Sequence, residues 1–142
     1  AKHILTVEEG HAMIRPITKD EVEWAVFDIA EDKAPRPDGY SSGFYKAAWS
    51  VVGDEVTRAV FDFFAMGQLL KQVNATLLTL IPKVRSPNFV VDFRPISLCN
   101  VLYKIITKII GQRISVVLDN LISPSQNAFV PGRLIGDNIL LA

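Results

Sequence analysis

The stretch ATLLTLIPKVRSPNFVVDFRPISL, residues 75–98, decides the fold class of this chain. Its first part, Ala75–Pro82, is rich in Leu, Thr and Ile and short enough to predict a β-strand. Its last part, Phe93–Leu98, predicts a second short strand, and the segment between them contains the loop-forming dipeptide Pro-Asn. The pattern therefore predicts a long-looped antiparallel β-hairpin. Pro95 has no N–H to donate, which favours a place at a sheet edge.

Helical patterns lie on both sides of the hairpin. The segment Thr18–Glu21 reads T-K-D-E, a capping box that predicts a helix start, and this helix ends before Pro35. Ser41 or Ser42 is expected to cap a second helix. A third helix is predicted from about Asp54 to Met66, and a fourth from about Val101 to Leu118. The predicted fold is α+β, mostly helical with one antiparallel hairpin.

The apolar positions of these helices recur at helical spacing and are expected to face inward. Residues 1–16 give only weak signals, and no element is predicted there. On the last helix, three cations are expected nearer the exposed side: Lys104, Lys108 and Arg113. The inward positions are Val22, Ala25, Val26, Ile29, Val56, Val60, Phe63, Phe64, Val101, Ile105, Ile109, Ile110, Ile114 and Val117.

Composition indicates one globular domain. The 142 residues are 49% hydrophobic and 21% charged, which excludes disorder over most of the length. No apolar run reaches the roughly 20 residues that span a bilayer, and the first ten residues do not resemble a signal peptide. The single cysteine, Cys99, has no partner for an internal disulfide. We therefore expect an intracellular protein, in the nucleus or cytoplasm, that is not secreted and not membrane-bound.

The charge is segregated along the chain. Residues 1–65 hold 7 basic and 12 acidic side chains, whereas residues 66–142 hold 8 basic and 3 acidic ones, so the net charges are −5 and +5. The second half suits a polyanion such as nucleic acid. Chance segregation in a small domain explains the same numbers.

The sequence contains no pattern typical of an active site. Paired carboxylates in an apolar setting, a phosphate-binding glycine loop and a nucleophile elbow are all missing from the 142 residues. Neither His3 nor His11 is expected to be catalytic.

Isolated cations are the remaining candidates for chemistry. Lys83 follows the first strand and Arg94 lies just inside the second, so a hairpin could bring them close. A Lys point charge beside an Arg fork suits a triphosphate, although spacing alone favours two ordinary solvated cations. Lys104 and Lys108 are one helical turn apart and suit phosphates, or simply a solvated helix face.

Four motifs in order resemble the reverse transcriptase of non-LTR, LINE-type retrotransposons, especially the plant form. They are DKAPRPDGY with the following FYK, then LIPK, then DFRPISLCNVLYKIITKII, and finally LISPSQNAFVPGRLIGDNILLA. The resemblance covers about Asp32 to Ala142. It implies a division into an N-terminal extension with the first helix, residues 1–31, and the fingers and early palm of a right-hand polymerase, residues 32–142.

The resemblance also implies roles for particular residues. Lys83 and Arg94 match the cations that hold the triphosphate of the incoming dNTP. Two further segments match parts of the family that lie along the RNA template or RNA–DNA hybrid, and one position departs from the family pattern, because Arg36 stands where K-A-P-G-P-D-G has its first glycine. The implied template-binding residues are Lys33, Arg36, Asp38, Gly39, Gln126, Phe129, Gly132 and Arg133.

In this family, catalysis uses Mg²⁺ held by two later aspartate motifs, one of them Tyr-Ala-Asp-Asp. Neither motif occurs in this sequence, and Asp119 and Asp137 do not stand in those contexts. The chain begins at Ala1 and ends within an apolar helical pattern, so we expect an excerpt lacking palm and thumb segments. Such a fragment is expected to need no cofactor and to be inactive alone. Its unpartnered apolar faces, on Val101–Leu118 and the terminal ILLA, should favour aggregation.

Two alternatives to a reverse transcriptase fragment remain open. One is a non-catalytic nucleic-acid-binding module that uses the positively charged second half. The other is an inert helical relic of a retroelement with no affinity for polyanions.

Overall fold

The chain forms five α-helices and one β-hairpin within the residues that its computed structural model describes, 4–31 and 37–122. This confirms the predicted α+β class. In chain order the elements are α1 (Val7–Ile14), α2 (Lys19–Phe27), α3 (Ser42–Ala47), α4 (Trp49–Met66), β1 (Thr76–Pro82), a 3₁₀ turn (Val90–Asp92), β2 (Phe93–Cys99) and α5 (Val101–Leu121).

Side-chain caps begin the first two helices. The hydroxyl of Thr18 accepts a hydrogen bond from the backbone N–H of Glu21, whose carboxylate accepts from the Thr18 N–H, as the T-K-D-E pattern predicts. The same box joins Thr6 and Glu9 at the start of α1. Helix α1 was not predicted, and T-V-E-E at residues 6–9 was the signal for it. The helix has only eight residues, and none of them is buried.

A serine cap begins α3, and a glycine ends α4. Ser41 accepts from the N–H of Phe44 and is the cap of α3, while the buried Ser42 hydroxyl donates to the carbonyl of Ala30. Helix α4 ends where Gly67 adopts φ +68°, a left-handed conformation that costs glycine little. The Gly67 N–H donates to the carbonyl of Phe63 at 2.7 Å.

Residues 17–109 form a compact unit with one hydrophobic core. The core contains side chains from α2, α4 and the first half of α5, together with Ile29. The early part of α5 was expected to lack partners, and this was wrong, because Val101, Ile105 and Ile109 are each almost completely buried here. The buried members are Val22, Ala25, Val26, Ile29, Val56, Val60, Val101, Ile105, Ile106 and Ile109.

Three predicted core positions are exposed instead. The side chains of Phe64, Ile110 and Ile114 are each 36–37% exposed, whereas Ile106, which was not predicted, is buried. Adjacent isoleucines at 105–106 and 109–110 make the apolar stripe of α5 wide. Which flank is covered therefore depends on the neighbouring helices and not on the period.

The described residues before 17 and after 109 belong to a second compact unit. Its main polar feature is Arg113, whose guanidinium donates to the carbonyls of Met13 at 3.0 Å, Arg15 at 2.6 Å and Pro16 at 3.1 Å. Arg113 was expected on an exposed face. It is half-buried instead, because its guanidinium donates hydrogen bonds to the carbonyl groups at the end of α1.

Candidate functional site

The hairpin is a regular two-stranded antiparallel sheet. Its register pairs Thr76 with Cys99 at one end and Pro82 with Phe93 at the other. The N–H of Lys83 donates to the carbonyl of Asp92 at 2.7 Å, so this pair continues the register by one step. The predicted long-looped hairpin is therefore confirmed, with β2 one residue longer than expected.

The register decides which side chains share a face. Arg94 lies opposite Ile81, and Lys83 comes two residues after Ile81, so Lys83 and Arg94 project from the same face as diagonal neighbours. Diagonal Cβ atoms in such a pair are about 7–8 Å apart, close enough for two long side chains to reach one phosphate chain. Both residues are exposed.

The Lys83 ammonium already has a partner in the loop. Its Nζ donates to the carbonyl of Val91 at 2.8 Å. A ligand that engages this ammonium must compete with that hydrogen bond or share the cation, since an ammonium has three donors.

Asp92 organises the loop that ends at β2. One of its carboxylate oxygens accepts from the N–H of Phe89 and of Asn88, each at 2.9 Å. These two bonds hold the pKa of the Asp92 carboxyl below its ordinary value. Sequence analysis did not single out this residue. The available signal was an Asp at the end of a loop, directly before a predicted strand.

Asn100 ties together the two ends of the hairpin. It directly follows β2 and is 98% buried, and its Nδ2 donates to the carbonyls of Gln72 at 3.1 Å and Val73 at 3.0 Å, just ahead of β1. The side chains of Thr76 and Cys99 approach to 3.6 Å beside it. The two hydrogen bonds of Asn100 thus hold together the open end of the hairpin that carries Lys83 and Arg94. Sequence analysis missed this role because both partners are carbonyls, which no residue identity reveals.

Lys104 and Lys108 do not form the exposed pair that was predicted. Both are partly buried. The Lys108 ammonium forms an ion pair with Asp28 and lies 5.6 Å from the centroid of the Trp24 ring. Part of its charge is therefore neutralised by a neighbouring carboxylate at the surface, which weakens the case for phosphate contacts on this face.

The predicted template-side residues are described only in part. Asp38 and Gly39 form a turn in which the Asp38 carboxylate accepts from the Tyr40 N–H at 3.0 Å and Gly39 has φ +82°. Tyr40 stacks on Phe44 with ring centroids 4.5 Å apart. Both residues of the turn are exposed. The other predicted template residues lie outside the described residues: Lys33, Arg36, Gln126, Phe129, Gly132 and Arg133.

The described residues offer no metal site and no membrane helix. Nowhere in residues 4–31 or 37–122 do three His, Cys, Asp or Glu side chains gather in a way that would hold a metal ion. No helix in this part of the chain has the length and apolar character needed to cross a bilayer.

Comparison with known proteins links the chain to a transposon. It is 35% identical over 126 residues to the transposon TX1 uncharacterized 149 kDa protein of Xenopus laevis. The aligned stretch covers 89% of this chain and 10% of that protein, so the chain spans about a tenth of the relative's length. No protein-family model matches the chain. The similarity supports an origin in a retroelement protein.

Proposed function

We propose that this chain is the fingers and early palm segment of a retrotransposon reverse transcriptase, and that Lys83 and Arg94 bind the triphosphate of the incoming dNTP. The observation that carries the proposal is the hairpin register, because it sets these two cations on one face as diagonal neighbours. The motif resemblance and the similarity to a transposon protein support the same reading.

The two cations have complementary chemistry for a phosphate chain. Arg94 offers a planar fork of donors that pairs bidentately with phosphate oxygens, and Lys83 adds a compact charge with three donors. The Asp92 carboxylate, on the residue opposite Lys83, is turned into the loop by the two N–H groups that it binds. Its charge is thereby partly satisfied, which lowers its competition with an anionic ligand for Lys83.

Nucleotide binding to the 142-residue chain tests this assignment. We expect Lys83→Gln and Arg94→Gln each to weaken dNTP binding by roughly tenfold or more, since a hydrogen bond to a charged group contributes about 1.5–3 kcal/mol. Lys71→Gln is the matched control, because Lys71 is an exposed cation in the turn ahead of β1. Equal losses of dNTP affinity in all three variants would show that binding depends on the net charge of the chain and not on the hairpin face that carries Lys83 and Arg94.

The chain alone is expected to leave a primer unextended. The family's Tyr-Ala-Asp-Asp motif does not occur in its sequence, and two-metal nucleotidyl transfer needs carboxylates to hold the ions. A primer-extension assay with Mg²⁺ or Mn²⁺ measures this directly. Templated dNTP incorporation by the purified chain would contradict the proposal that it binds the incoming nucleotide but does not catalyse its transfer.

A non-catalytic nucleic-acid-binding module is the second candidate. The net charge of +5 over residues 66–142 favours it, but the ion pair of Lys108 with Asp28 reduces the charge available. It predicts RNA binding that falls steeply with salt and weakens when Lys104 and Lys108 are both reversed in charge. Binding that is weakened by changes at Lys83 and Arg94, and not by changes at Lys104 and Lys108, would favour the first candidate over the second.

A further inference from the structure

The turn that leads into β2 receives little support from packing. The side chains of Phe89, Val90 and Val91 are 71–86% exposed, so burial of apolar surface does not fix the backbone that carries them. Hydrogen bonds to the backbone of the turn are the remaining source of order. The group that supplies these bonds therefore controls the shape of the turn.

Asp92 supplies most of these bonds. Its carboxylate accepts from the N–H groups of Asn88 and Phe89, each at 2.9 Å, and its own N–H donates to the Phe89 carbonyl at 3.0 Å. Its carbonyl accepts from the N–H of Lys83 at 2.7 Å, which joins the turn to the end of β1. Hydrogen bonds to a carboxylate are stronger than those between neutral groups, so the Asp92 side chain is the main support of the turn.

The Lys83 side chain ends on the backbone of the same turn. Its Nζ donates to the carbonyl of Val91 at 2.8 Å. Val91 lies between Phe89 and Asp92, which are bonded to each other, so the position of its carbonyl depends on the closed turn. An ammonium held at this carbonyl keeps two donors for a ligand and has less side-chain freedom left to lose when the ligand binds.

We propose that Asp92 is a positioning residue, which orders the turn of residues 88–92 so that the Val91 carbonyl holds the Lys83 ammonium ready for the triphosphate. Asp92 acts through Lys83 and does not itself touch the ligand. This inference rests on the proposed function of Lys83 and Arg94. In the part of the chain that the structure describes, the Asp92 carboxylate forms no ion pair with either cation, so its hydrogen bonds to the turn account for its role.

Positioning and simple electrostatics predict opposite effects of changes at Asp92. A negative charge beside two phosphate-binding cations weakens the binding of an anion, so charge alone predicts tighter dNTP binding when Asp92 is neutralised. Positioning predicts weaker binding when the acceptor oxygen is lost. Three substitutions separate the two effects. Asp92→Asn keeps an acceptor without the charge, Asp92→Glu keeps the charge but displaces the acceptor by one methylene, and Asp92→Ala removes both.

Binding of a dNTP to the full 142-residue chain gives the first readout. We expect Asp92→Asn to keep the affinity within about threefold, and Asp92→Glu and Asp92→Ala to weaken it by roughly three- to tenfold, because a less populated binding-competent state lowers the apparent affinity in proportion. In a Lys83→Gln background, Asp92→Ala should cause no further loss. Unaltered binding in Asp92→Glu with tighter binding in the other two variants would overturn the proposal, as would fully additive losses in the double variant.

The order of the Lys83 ammonium, measured by ¹⁵N relaxation without nucleotide, gives a second readout that does not depend on the proposed function. The reference is Lys71, an exposed cation in the turn ahead of β1. We expect Lys83 to be more ordered than Lys71 in the unaltered chain and in Asp92→Asn, and as mobile as Lys71 in the Glu and Ala variants. A Lys83 ammonium that stays ordered in those two variants would overturn the positioning role.

Two controls keep the outcomes distinct. Circular dichroism verifies folding, and Asp92→Glu, the milder change, decides the result if Asp92→Ala unfolds. Unaltered dNTP affinity in Lys83→Gln would overturn the proposed function instead, whatever the relaxation of Lys83 shows in the Asp92 variants.

Discussion

Replacing Asn100 with aspartate tests whether the hydrogen bonds of this side chain stabilise the hairpin. The two side chains have nearly the same shape, so no cavity is created. In the protein, the Asn100 Nδ2 donates to the carbonyls of Gln72 and Val73 at 3.1 and 3.0 Å from an almost fully buried position. A carboxylate oxygen at that place cannot donate. It faces two carbonyl oxygens and carries a charge with little access to water.

The size of the effect follows from these contacts. Two neutral hydrogen bonds contribute about 1 kcal/mol each, so Asn100→Ala is expected to lose about 2 kcal/mol. The isosteric Asn100→Asp adds the cost of burying an unpaired charge, which raises the expected loss to about 3 kcal/mol or more at neutral pH. Near pH 4 the new carboxyl is largely protonated and regains one donor, so the deficit should shrink there.

Urea unfolding followed by tryptophan fluorescence measures the change, because Trp24 and Trp49 both lie in the unit of residues 17–109. With a slope of about 2 kcal/mol per molar urea, the unfolding midpoint should fall by roughly 1.5 M. Asn74→Asp is the control, since Asn74 is exposed in the same connection and should change the stability by less than about 0.5 kcal/mol. Equal midpoints for the two aspartate variants would refute the anchoring role of Asn100.

Three further predictions concern the core, a helix cap and the hairpin loop. Ile105→Ala, at a fully buried site, should lower the free energy of unfolding by about 2–5 kcal/mol, whereas Ile114→Ala on the half-exposed side of α5 should cost far less in the same urea titration. Thr18→Ala should cost about 1 kcal/mol by removing the cap of α2, and Thr18→Ser should restore it. The lowered pKa of Asp92 means that its contribution to stability is present above the unfolded-state pKa and is lost as the pH falls through the folded-state pKa. The stability curves of the unaltered chain and of Asp92→Asn should therefore converge in acid.

Local patterns in the sequence predicted most of the elements. The Thr18–Glu21 box, the strand-forming run before Pro82 and the glycine after α4 act on their own neighbourhoods, so each predicted an observed boundary to within a few residues. The Thr6–Glu9 box is equally local, yet α1 was missed, because a capping box ahead of only eight helical residues is a short signal.

Long-range contacts were the part that periodicity could not predict. Lys108 was expected in solvent because its position on α5 is polar, but its partner Asp28 lies on a different element far along the chain. The burial of Ile106 in place of Ile110 depends in the same way on how the helices are arranged. The Lys83–Arg94 face followed from a correctly predicted hairpin, whereas its assignment to a triphosphate still depends on the family resemblance.

The backbone N–H groups of β1 alternate between those that donate to β2 and those that point away from it, because the Lys83 N–H donates to the Asp92 carbonyl and the bonded pairs recur at every second residue. The amide protons of Leu77, Thr79 and Ile81 are held by β2 and should exchange slowly with deuterium, while those of Thr76, Leu78 and Leu80 face solvent and should exchange fast. A period of two in the exchange rates along β1 thus reports the register of the hairpin without any substitution.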